Sequence, residues 1–200
     1  MTTVIIGTTN RNKLTEIRHI LADCSCLIDS IADHEIVSAP EETGATFAEN
    51  ARIKAQYYGS LVPHLMVAED SGLEIDQLDG APGIHSARFA GNSYPETFNK
   101  IYEMLDEQGV RTSPARFVCS LAVAEKGEIV FEATGLIEGR IAEEPAGPNG
   151  FGYDPIFFYP PFGCTLAQVP GSQKTEVSHR GHSFRKLRSF LDKRFNLVAE

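Results

Sequence analysis

Residues 65–72 have the sequence LMVAEDSG, in which four apolar residues come directly before Glu69 and Asp70. The apolar run predicts a buried strand that places both acids at its end. Carboxylates fixed at a strand end can bind a hard cation through oxygen and orient a water molecule towards phosphorus. The alternative is that they are solvated turn acids. Four other acids join the same candidate cluster: Glu41, Glu42, Glu74 and Asp76.

Periodic apolar residues before and after this stretch predict further strands and helices. The β-branched run at residues 3–7 predicts a strand, and apolar residues at helical spacing from Leu14 to Leu21 predict a helix after it. Capping-box sequences at Thr46–Glu49 and Ser93–Glu96 predict the first turns of two more helices.

The second half of the chain predicts a hairpin and a last helix. Strand-like runs at 115–125 and 128–141 flank the turn Lys126-Gly127, and an amphipathic pattern at helical spacing begins near Ser178. Since strands and helices alternate without a linker or an internal repeat, we expect one mixed α/β domain over residues 1–200 with a central sheet.

Composition and charge limit the classes of function. With 42% hydrophobic and 22% charged residues, the chain is typical of a globular domain with a core of its own. Its longest apolar runs, such as 156–159, are far shorter than the ~20 residues of a membrane span, and its first residues lack a signal-peptide pattern. The net charge of −9 argues against a broad nucleic-acid-binding surface. We expect a soluble cytoplasmic protein that binds neither membranes nor nucleic acid, with structural cysteines.

Polar residues follow the first predicted strand, at the start of the next helix. Hydroxyl and amide side chains, a helix N-terminus and a lysine can converge there on phosphate oxygens. The spacing G-x-x-x-x-G-K-[ST] of a Walker A loop is absent. The alternative is an ordinary connection in which Asn10 or Asn12 caps the helix. The candidate residues are Thr8, Thr9, Asn10, Arg11, Asn12 and Lys13. Further along, Asn50 and Lys54 share one face of the second predicted helix.

Two later segments combine glycine, aromatic and charged residues. In residues 148–155, PNGFGYDP, an aromatic ring between glycines can stack a nucleobase, and the acid can accept from purine N–H groups. A glycine-rich turn with core aromatics is the alternative. Lys174 and residues 178–181, SHRG, precede the last helix, where cationic side chains can reach phosphate or base edges. A helix cap with surface charges explains the same residues.

Taken together, these segments resemble the Ham1-type family of non-canonical purine nucleoside triphosphate pyrophosphatases, also called inosine triphosphate pyrophosphatases. The resemblance runs from Thr8 almost to the C-terminus. Its motifs are, in order, T-x-N-x-x-K from Thr8, EETG from Glu41, DSGL from Asp70, GAPGI from Gly80, GFGYDP from Gly150 and SHRG from Ser178. Ordered motifs of this number are far more specific than any one of them.

The resemblance implies an α/β fold in which an elongated mixed sheet is flanked by helices, with two lobes, a central substrate cleft and usually a homodimer. It implies hydrolysis of ITP, dITP or XTP to the monophosphate and pyrophosphate, with Mg²⁺ as cofactor. In this role Asp70 accepts a proton from the attacking water, and Glu41 and Asp70 hold the magnesium.

The implied substrate contacts fall into two sets. The triphosphate set comprises Thr8, Thr9, Asn10, Arg11, Asn12, Lys13, Lys54 and Ser71. The nucleoside set comprises Phe151, Gly152, Tyr153, Asp154, Lys174, His179 and Arg180. In the second set Phe151 stacks on the base, and His179 or Arg180 donates a hydrogen bond to the 6-oxo group that distinguishes inosine and xanthosine from adenine.

The chain departs from the family pattern at Thr9, where glycine or serine is usual, and at Glu69, where aspartate is frequent. Because a β-branched residue limits unusual backbone angles, we expect the loop to contact phosphate with a slightly different geometry at Thr9. Two other functions stay open. One is a Maf-like pyrophosphatase that acts on pyrimidine or modified nucleotides, and the other is a nucleotide-sensing module that binds without turnover.

Overall fold

The computed structural model describes residues 2–24, 26–34, 38–91 and 93–195. The strands are β1 (Thr3–Ile6), β2 (Leu27–Ser30), β3 (Leu65–Ile75), β4 (Pro114–Glu125), β5 (Glu128–Ile141), β6 (Phe157–Tyr159) and β7 (Cys164–Thr165). The helices are α1 (Arg11–Ile20), α2 (Phe47–Gly59), α3 (Tyr94–Glu107), α4 (Gly171–Val177) and α5 (His179–Arg194). The strands form one sheet in the order β2-β1-β3-β4-β5-β6-β7.

The sheet contains both parallel and antiparallel pairs. β1 pairs in parallel with β2 and with β3, whereas β6 is antiparallel to both β5 and β7. β4 and β5 are neighbours joined by Lys126 and Gly127, whose φ angles of 52° and 84° are typical of a type I′ hairpin turn. The predicted mixed α/β fold and the predicted hairpin are therefore confirmed.

The chain divides into two compact units, and it passes from one to the other within β3, β4 and β5 and again between α4 and α5. The first unit comprises residues 1–70, 119–135 and 179–200, and the second comprises residues 71–118 and 136–178. Whether they act as the single domain that we expect from the sequence stays a prediction.

Each unit has its own apolar core. In the first unit, α1 and α5 pack residues such as Ile17, Phe184 and Leu187 against β1, β3 and β4. In the second unit, α3 contributes Ile101 and Leu105 to a cluster that includes residues of β3, β4, β5 and β6. Burial of these apolar helix faces stabilises the helices that the 3.6-residue spacing predicts.

The predicted helix starts agree with the structure. Thr46 and Glu49 form the reciprocal capping box of α2, and Ser93 caps α3 by accepting a hydrogen bond from the backbone of Glu96. The last helix begins at His179, next to the predicted Ser178. Within the described residues, no helix is both long enough and apolar enough to cross a membrane.

The prediction that Glu69 and Asp70 lie at a strand end is wrong. β3 continues to Ile75, so both acids lie inside it. Glu69, Asp70 and Ile75 are all buried, so the strand stays in the interior through both acids. The strand passes close to Ser86, because a Cβ at Gly72 would lie 2.3 Å from Ser86 Oγ. Because glycine has no Cβ, Ser86 can come close to β3. Its Oγ accepts a hydrogen bond from the Leu73 backbone N–H.

Candidate active site

The loop between β1 and α1 is organised by Asn10. Its Oδ1 accepts hydrogen bonds from the backbone N–H groups of Asn12 at 3.0 Å and Lys13 at 3.2 Å, and its own N–H donates to Thr8 Oγ1 at 3.2 Å. The interpretation of Asn10 as a helix cap is therefore confirmed. Thr8 and Lys13 are half-buried, whereas Thr9, Asn10, Arg11 and Asn12 are exposed.

Lys13 and Glu69 form a buried ion pair. Lys13 Nζ lies 2.6 Å from Glu69 Oε1, and the Glu69 side chain is only 1% exposed. On the same carboxylate, Oε2 lies 3.7 Å from the Arg180 guanidinium, which also donates to Glu16 Oε2 at 2.7 Å. Burial alone would raise the pKa of Glu69, but the positive charges of Lys13, Arg180 and Lys54 outweigh it and hold that pKa well below its usual range.

Asp70 is held by two residues of α2. Its Oδ2 accepts a hydrogen bond from Asn50 Nδ2 at 3.2 Å, and its Oδ1 lies 3.3 Å from Lys54 Nζ. Lys54 Nζ also lies 3.3 Å from Glu42 Oε1. Asn50 and Lys54 thus share the helix face predicted from their spacing, and that face covers Asp70.

The charge state of Asp70 differs from that of Glu69. Burial raises the pKa of Asp70, and the neighbouring carboxylates Glu69 and Glu42 add to the rise, against the lowering effects of Lys54 and Asn50. Burial alone would lower the pKa of Lys54, but the charges of Asp70, Glu69 and Glu42 raise it overall. Asp70 is therefore a stronger base than an exposed aspartate, and it lies beside a lysine that stays protonated.

The six acids of the candidate cluster do not act as one group. Glu74 and Asp76 both pair with Arg116, at 2.6 Å and 3.2 Å. Glu41 is exposed. Across the described ranges, no three histidine, cysteine, aspartate or glutamate side chains come together in a group that could hold a metal ion.

In the second unit, Phe151, Asp154 and Lys174 form a compact group. Lys174 Nζ lies 4.2 Å from the centroid of the half-buried Phe151 ring and 2.5 Å from Asp154 Oδ2. The same carboxylate oxygen accepts a hydrogen bond from the Phe151 backbone N–H at 2.8 Å. Asp154 and Lys174 are both buried, so this ion pair fixes the turn that carries the aromatic ring.

The rest of the glycine-rich turn is also constrained. Gly150 has a φ of +73°, and a Cβ there would lie 2.2 Å from Asp154 Oδ2, so the turn requires glycine. Gly152 has a φ of +66°. Tyr153 is buried and donates its hydroxyl hydrogen to the Ser86 carbonyl at 2.6 Å. The core-aromatic alternative therefore describes Tyr153, whereas the Phe151 ring is only half-buried.

His179 and Arg180 begin α5 and are both buried. The helix start approaches β5 closely, because a Cβ at Gly135 would lie 2.2 Å from the His179 carbonyl oxygen. Both terminal nitrogens of Arg180 face carboxylates, Glu16 on one side and Glu69 on the other. Arg180 is therefore buried and ion-paired, and the alternative of a surface charge does not describe it.

The structure thus brings together two groups of predicted residues. In the first unit Lys54 contacts Asp70, and Lys13 contacts the neighbouring Glu69. In the second unit Phe151, Asp154 and Lys174 lie together. Ser71 follows Asp70 in β3 and is half-buried. The assigned roles of all these residues stay predictions. Sequence reasoning did not assign Glu16 or Asn50 to the site, although the shared face of Asn50 and Lys54 was a usable signal for Asn50.

Comparison with known proteins agrees with the motifs. The Ham1 family model matches residues 4–190. A dITP/XTP pyrophosphatase of Listeria monocytogenes serotype 4b (strain F2365) is 43% identical over 193 residues, which cover 96% of this chain and 95% of the relative. A solved HAM1 protein of Coxiella burnetii superposes with a TM-score of 0.88 at 36% identity, covering 96% of this chain and 100% of that one.

A second solved structure, the Ham1 protein of Staphylococcus aureus, gives a TM-score of 0.85 at 34% identity, again with coverage of 96% of this chain and 100% of that one. Similarity of this extent covers both compact units and every motif on which the resemblance was based. The chain belongs to the Ham1 family.

Proposed function

We propose that this protein hydrolyses dITP, ITP and XTP to the nucleoside monophosphate and pyrophosphate. Relatives covering almost the whole chain are named dITP/XTP pyrophosphatases. The observation that carries the proposal is the buried Asp70 carboxylate, which has a raised pKa and lies between an amide donor and a lysine. An acid in this environment is suited to general-base catalysis.

In the proposed mechanism Asp70 accepts a proton from the water that attacks phosphorus. Its raised pKa makes it a better proton acceptor than an exposed aspartate. Lys54, at 3.3 Å from the carboxylate, lies where it can also offset negative charge on a phosphate. Most of the rate enhancement then comes from orientation and from electrostatic stabilisation of the triphosphate.

The donor set near Asp70 suits a divalent cation that is shared with substrate. Each Asp70 oxygen has one neighbour from α2, which leaves acceptor capacity on both oxygens. Magnesium needs only one or two protein carboxylates when phosphates and waters complete its shell, so a three-residue cluster is not required. We propose that Asp70 and Glu41 hold Mg²⁺, which would neutralise phosphate charge.

The triphosphate would bind where backbone N–H groups and lysines are available. The first turn of α1 offers backbone N–H groups and a favourable helix dipole, while the Asn10 side chain satisfies two of its donors. Lys13 is 21% exposed on its side chain, so it can contact phosphate while its partner Glu69 stays buried. We assign Thr8, Lys13, Lys54 and Ser71 to phosphate contacts.

We propose that the base stacks on the Phe151 ring, whose side chain is only half-buried. Because Asp154 already pairs with Lys174 and with the turn backbone, its role is to fix this turn. Since Arg180 faces two carboxylates, we assign the 6-oxo hydrogen bond to His179. A buried donor left unpaired by adenine would then reject adenine nucleotides.

Pyrophosphate release tests this function directly. Purified protein is assayed with dITP, XTP, dATP, dGTP and dTTP, with Mg²⁺ and with EDTA. We expect dITP and XTP to be cleaved far faster than the others, and only with the metal. Rapid dTTP cleavage with inert dITP would favour the Maf-like alternative, and tight dITP binding without pyrophosphate release would favour a sensing module.

We also propose a cytoplasmic homodimer, on the basis of the family resemblance. Light scattering on the purified protein measures the oligomeric state. A mass of twice the 21.9 kDa of one chain is expected, and a monomer mass across the micromolar range would contradict the proposal.

A further inference from the structure

Asn50 is a buried polar residue that links Asp70 to the loop before α2. Its residue surface is only 1% exposed. Its Oδ1 accepts a hydrogen bond from the Gly44 backbone N–H at 2.8 Å, and its Nδ2 donates to Asp70 Oδ2 at 3.2 Å. One amide group therefore joins two parts of the site.

The loop at the other end of this link is fixed to the first turn of α2. Glu49 Oε2 accepts hydrogen bonds from the backbone N–H groups of Ala45 at 2.7 Å and Thr46 at 3.2 Å. Gly44 fits closely against Asn50, because a Cβ at position 44 would lie 2.7 Å from Asn50 Oδ1. The segment that follows Glu41 and Glu42 thus has its backbone tied to α2.

The hydrogen bonds also determine which way the Asn50 amide faces. The Gly44 N–H is a donor, so it requires the carbonyl end of the amide, and the NH₂ end must then face Asp70. Lys54 also reaches Asp70, but through a long flexible side chain that can follow the carboxylate if it rotates. The short Asn50 side chain restricts that rotation and leaves the carboxylate charged.

We propose that Asn50 is a positioning residue, which holds the Asp70 carboxylate in one orientation relative to the loop carrying Glu41 and Glu42. This inference rests on the proposed function, in which Asp70 activates water. It assigns to Asn50 no contact with substrate. Its effect is to keep the reactive oxygens of Asp70 in place before the nucleotide arrives.

Two substitutions at position 50 separate the two halves of the link. Asn50→Ala removes both hydrogen bonds. Asn50→Asp keeps an acceptor for the Gly44 N–H but replaces the donor to Asp70 with a second carboxylate oxygen. If orientation of Asp70 is what matters, we expect both variants to lower kcat for dITP by about 10- to 100-fold with KM changed less than about 3-fold.

Thr97 provides a matched control. Like Asn50, it is a buried residue in the first turns of a helix, and its Oγ1 donates to the backbone carbonyl of Ala90 at 2.7 Å. Thr97→Val is expected to lower the melting temperature while kcat and KM stay within about twofold of wild type. Asn50 variants with the kinetics of this control, or an Asn50→Asp variant with the wild-type rate, would overturn the inference.

Mn²⁺ binding gives a readout that does not depend on turnover. Mn²⁺ takes the same oxygen ligands as Mg²⁺, and its free concentration is measured by EPR without nucleotide. We expect both Asn50 variants to bind Mn²⁺ about 10-fold more weakly than wild type, and Thr97→Val to bind it normally. If the wild type cleaves no nucleotide, the proposed function fails, and this Mn²⁺ comparison still decides the role of Asn50.

Discussion

Replacing Glu69 with glutamine tests the buried ion network of the first unit. Glu69 lies 2.6 Å from Lys13 Nζ and 3.7 Å from the Arg180 guanidinium, and the Glu69 and Arg180 side chains are 1% and 2% exposed. Glu69→Gln removes one negative charge and keeps the side-chain volume. Arg180 then still has Glu16 as a carboxylate partner.

The expected loss of stability follows from this burial. Removing one partner of a buried ion pair costs about 3–5 kcal/mol, because the remaining charge stays in a poorly solvated site. Since glutamine keeps one acceptor and Arg180 keeps Glu16, we expect the lower end, about 3 kcal/mol of unfolding free energy. For a chain of this size that corresponds to a Tm lower by about 6–12 °C.

Calorimetry and urea unfolding at neutral pH measure the change. Glu125→Gln is the control, because Glu125 pairs with Arg194 at 2.7 Å but its side chain is 47% exposed. An exposed ion pair of this kind contributes little to the free energy of unfolding, so the control is expected to have a Tm close to that of wild type. If Glu69→Gln also melts at the wild-type temperature, the buried network does not stabilise the first unit as we argue.

The same network predicts how stability depends on pH. The pKa of Glu69 is lower in the folded state than in the unfolded chain. Its contribution is therefore fully present above the unfolded pKa of about 4.3 and is lost as the pH falls through the folded value. As the pH falls below about 4.3, wild type should lose stability more steeply than Glu69→Gln. If the stability of the two proteins has the same pH dependence, Glu69 does not contribute as we argue.

Three further substitutions test separate parts of the molecule. Asp70→Asn is expected to fold normally but to lower kcat by about 10³-fold, since it removes the proposed base; a wild-type rate in the pyrophosphate assay would exclude that role. Phe151→Ala should raise the KM for dITP by about 10-fold or more through lost stacking, and unchanged kinetics would remove this ring from the base site. Gly135→Ala should lower the yield of folded protein and its Tm, because the new Cβ meets the His179 carbonyl at 2.2 Å; a wild-type Tm would show that α5 can shift at little cost.

Sequence reasoning succeeded where the signals are local. The capping box at Thr46 and the apolar spacing of α1 depend on residues within a few positions, and both appear as predicted. The hairpin at Lys126-Gly127 is equally local, because two residues with positive φ determine its turn.

Sequence reasoning failed where a strand or a contact depends on residues that are distant in the sequence. β6 and β7 have only three and two residues, which is too short for a periodic pattern, and the sequence LIDS of β2 lacks the unbroken apolar run of β1. These strands exist because neighbouring strands pair with them. The site shows the same limit. Arg180 donates to Glu16 across 164 positions of the chain, and no spacing rule predicts such a contact.

The strand-end error at β3 explains the different chemistry of its two acids. Successive side chains in a strand point to opposite faces, so Glu69 and Asp70 contact different residues. Glu69 follows Leu65 and Val67 onto the face packed by α1 and α5, where it meets Lys13 and Arg180.

Asp70 points instead towards α2, where Asn50 and Lys54 contact it. The two faces shift the two pKa values in opposite directions, downwards for Glu69 and upwards for Asp70. Neighbouring acids whose pKa values are separated in this way are suited to different tasks. Glu69, whose pKa is lowered, is suited to hold cations in place at neutral pH, whereas the more basic Asp70 is suited to take up a proton. The strand must continue through both acids for this division to arise, because a flexible turn would let both carboxylates reach the same solvent.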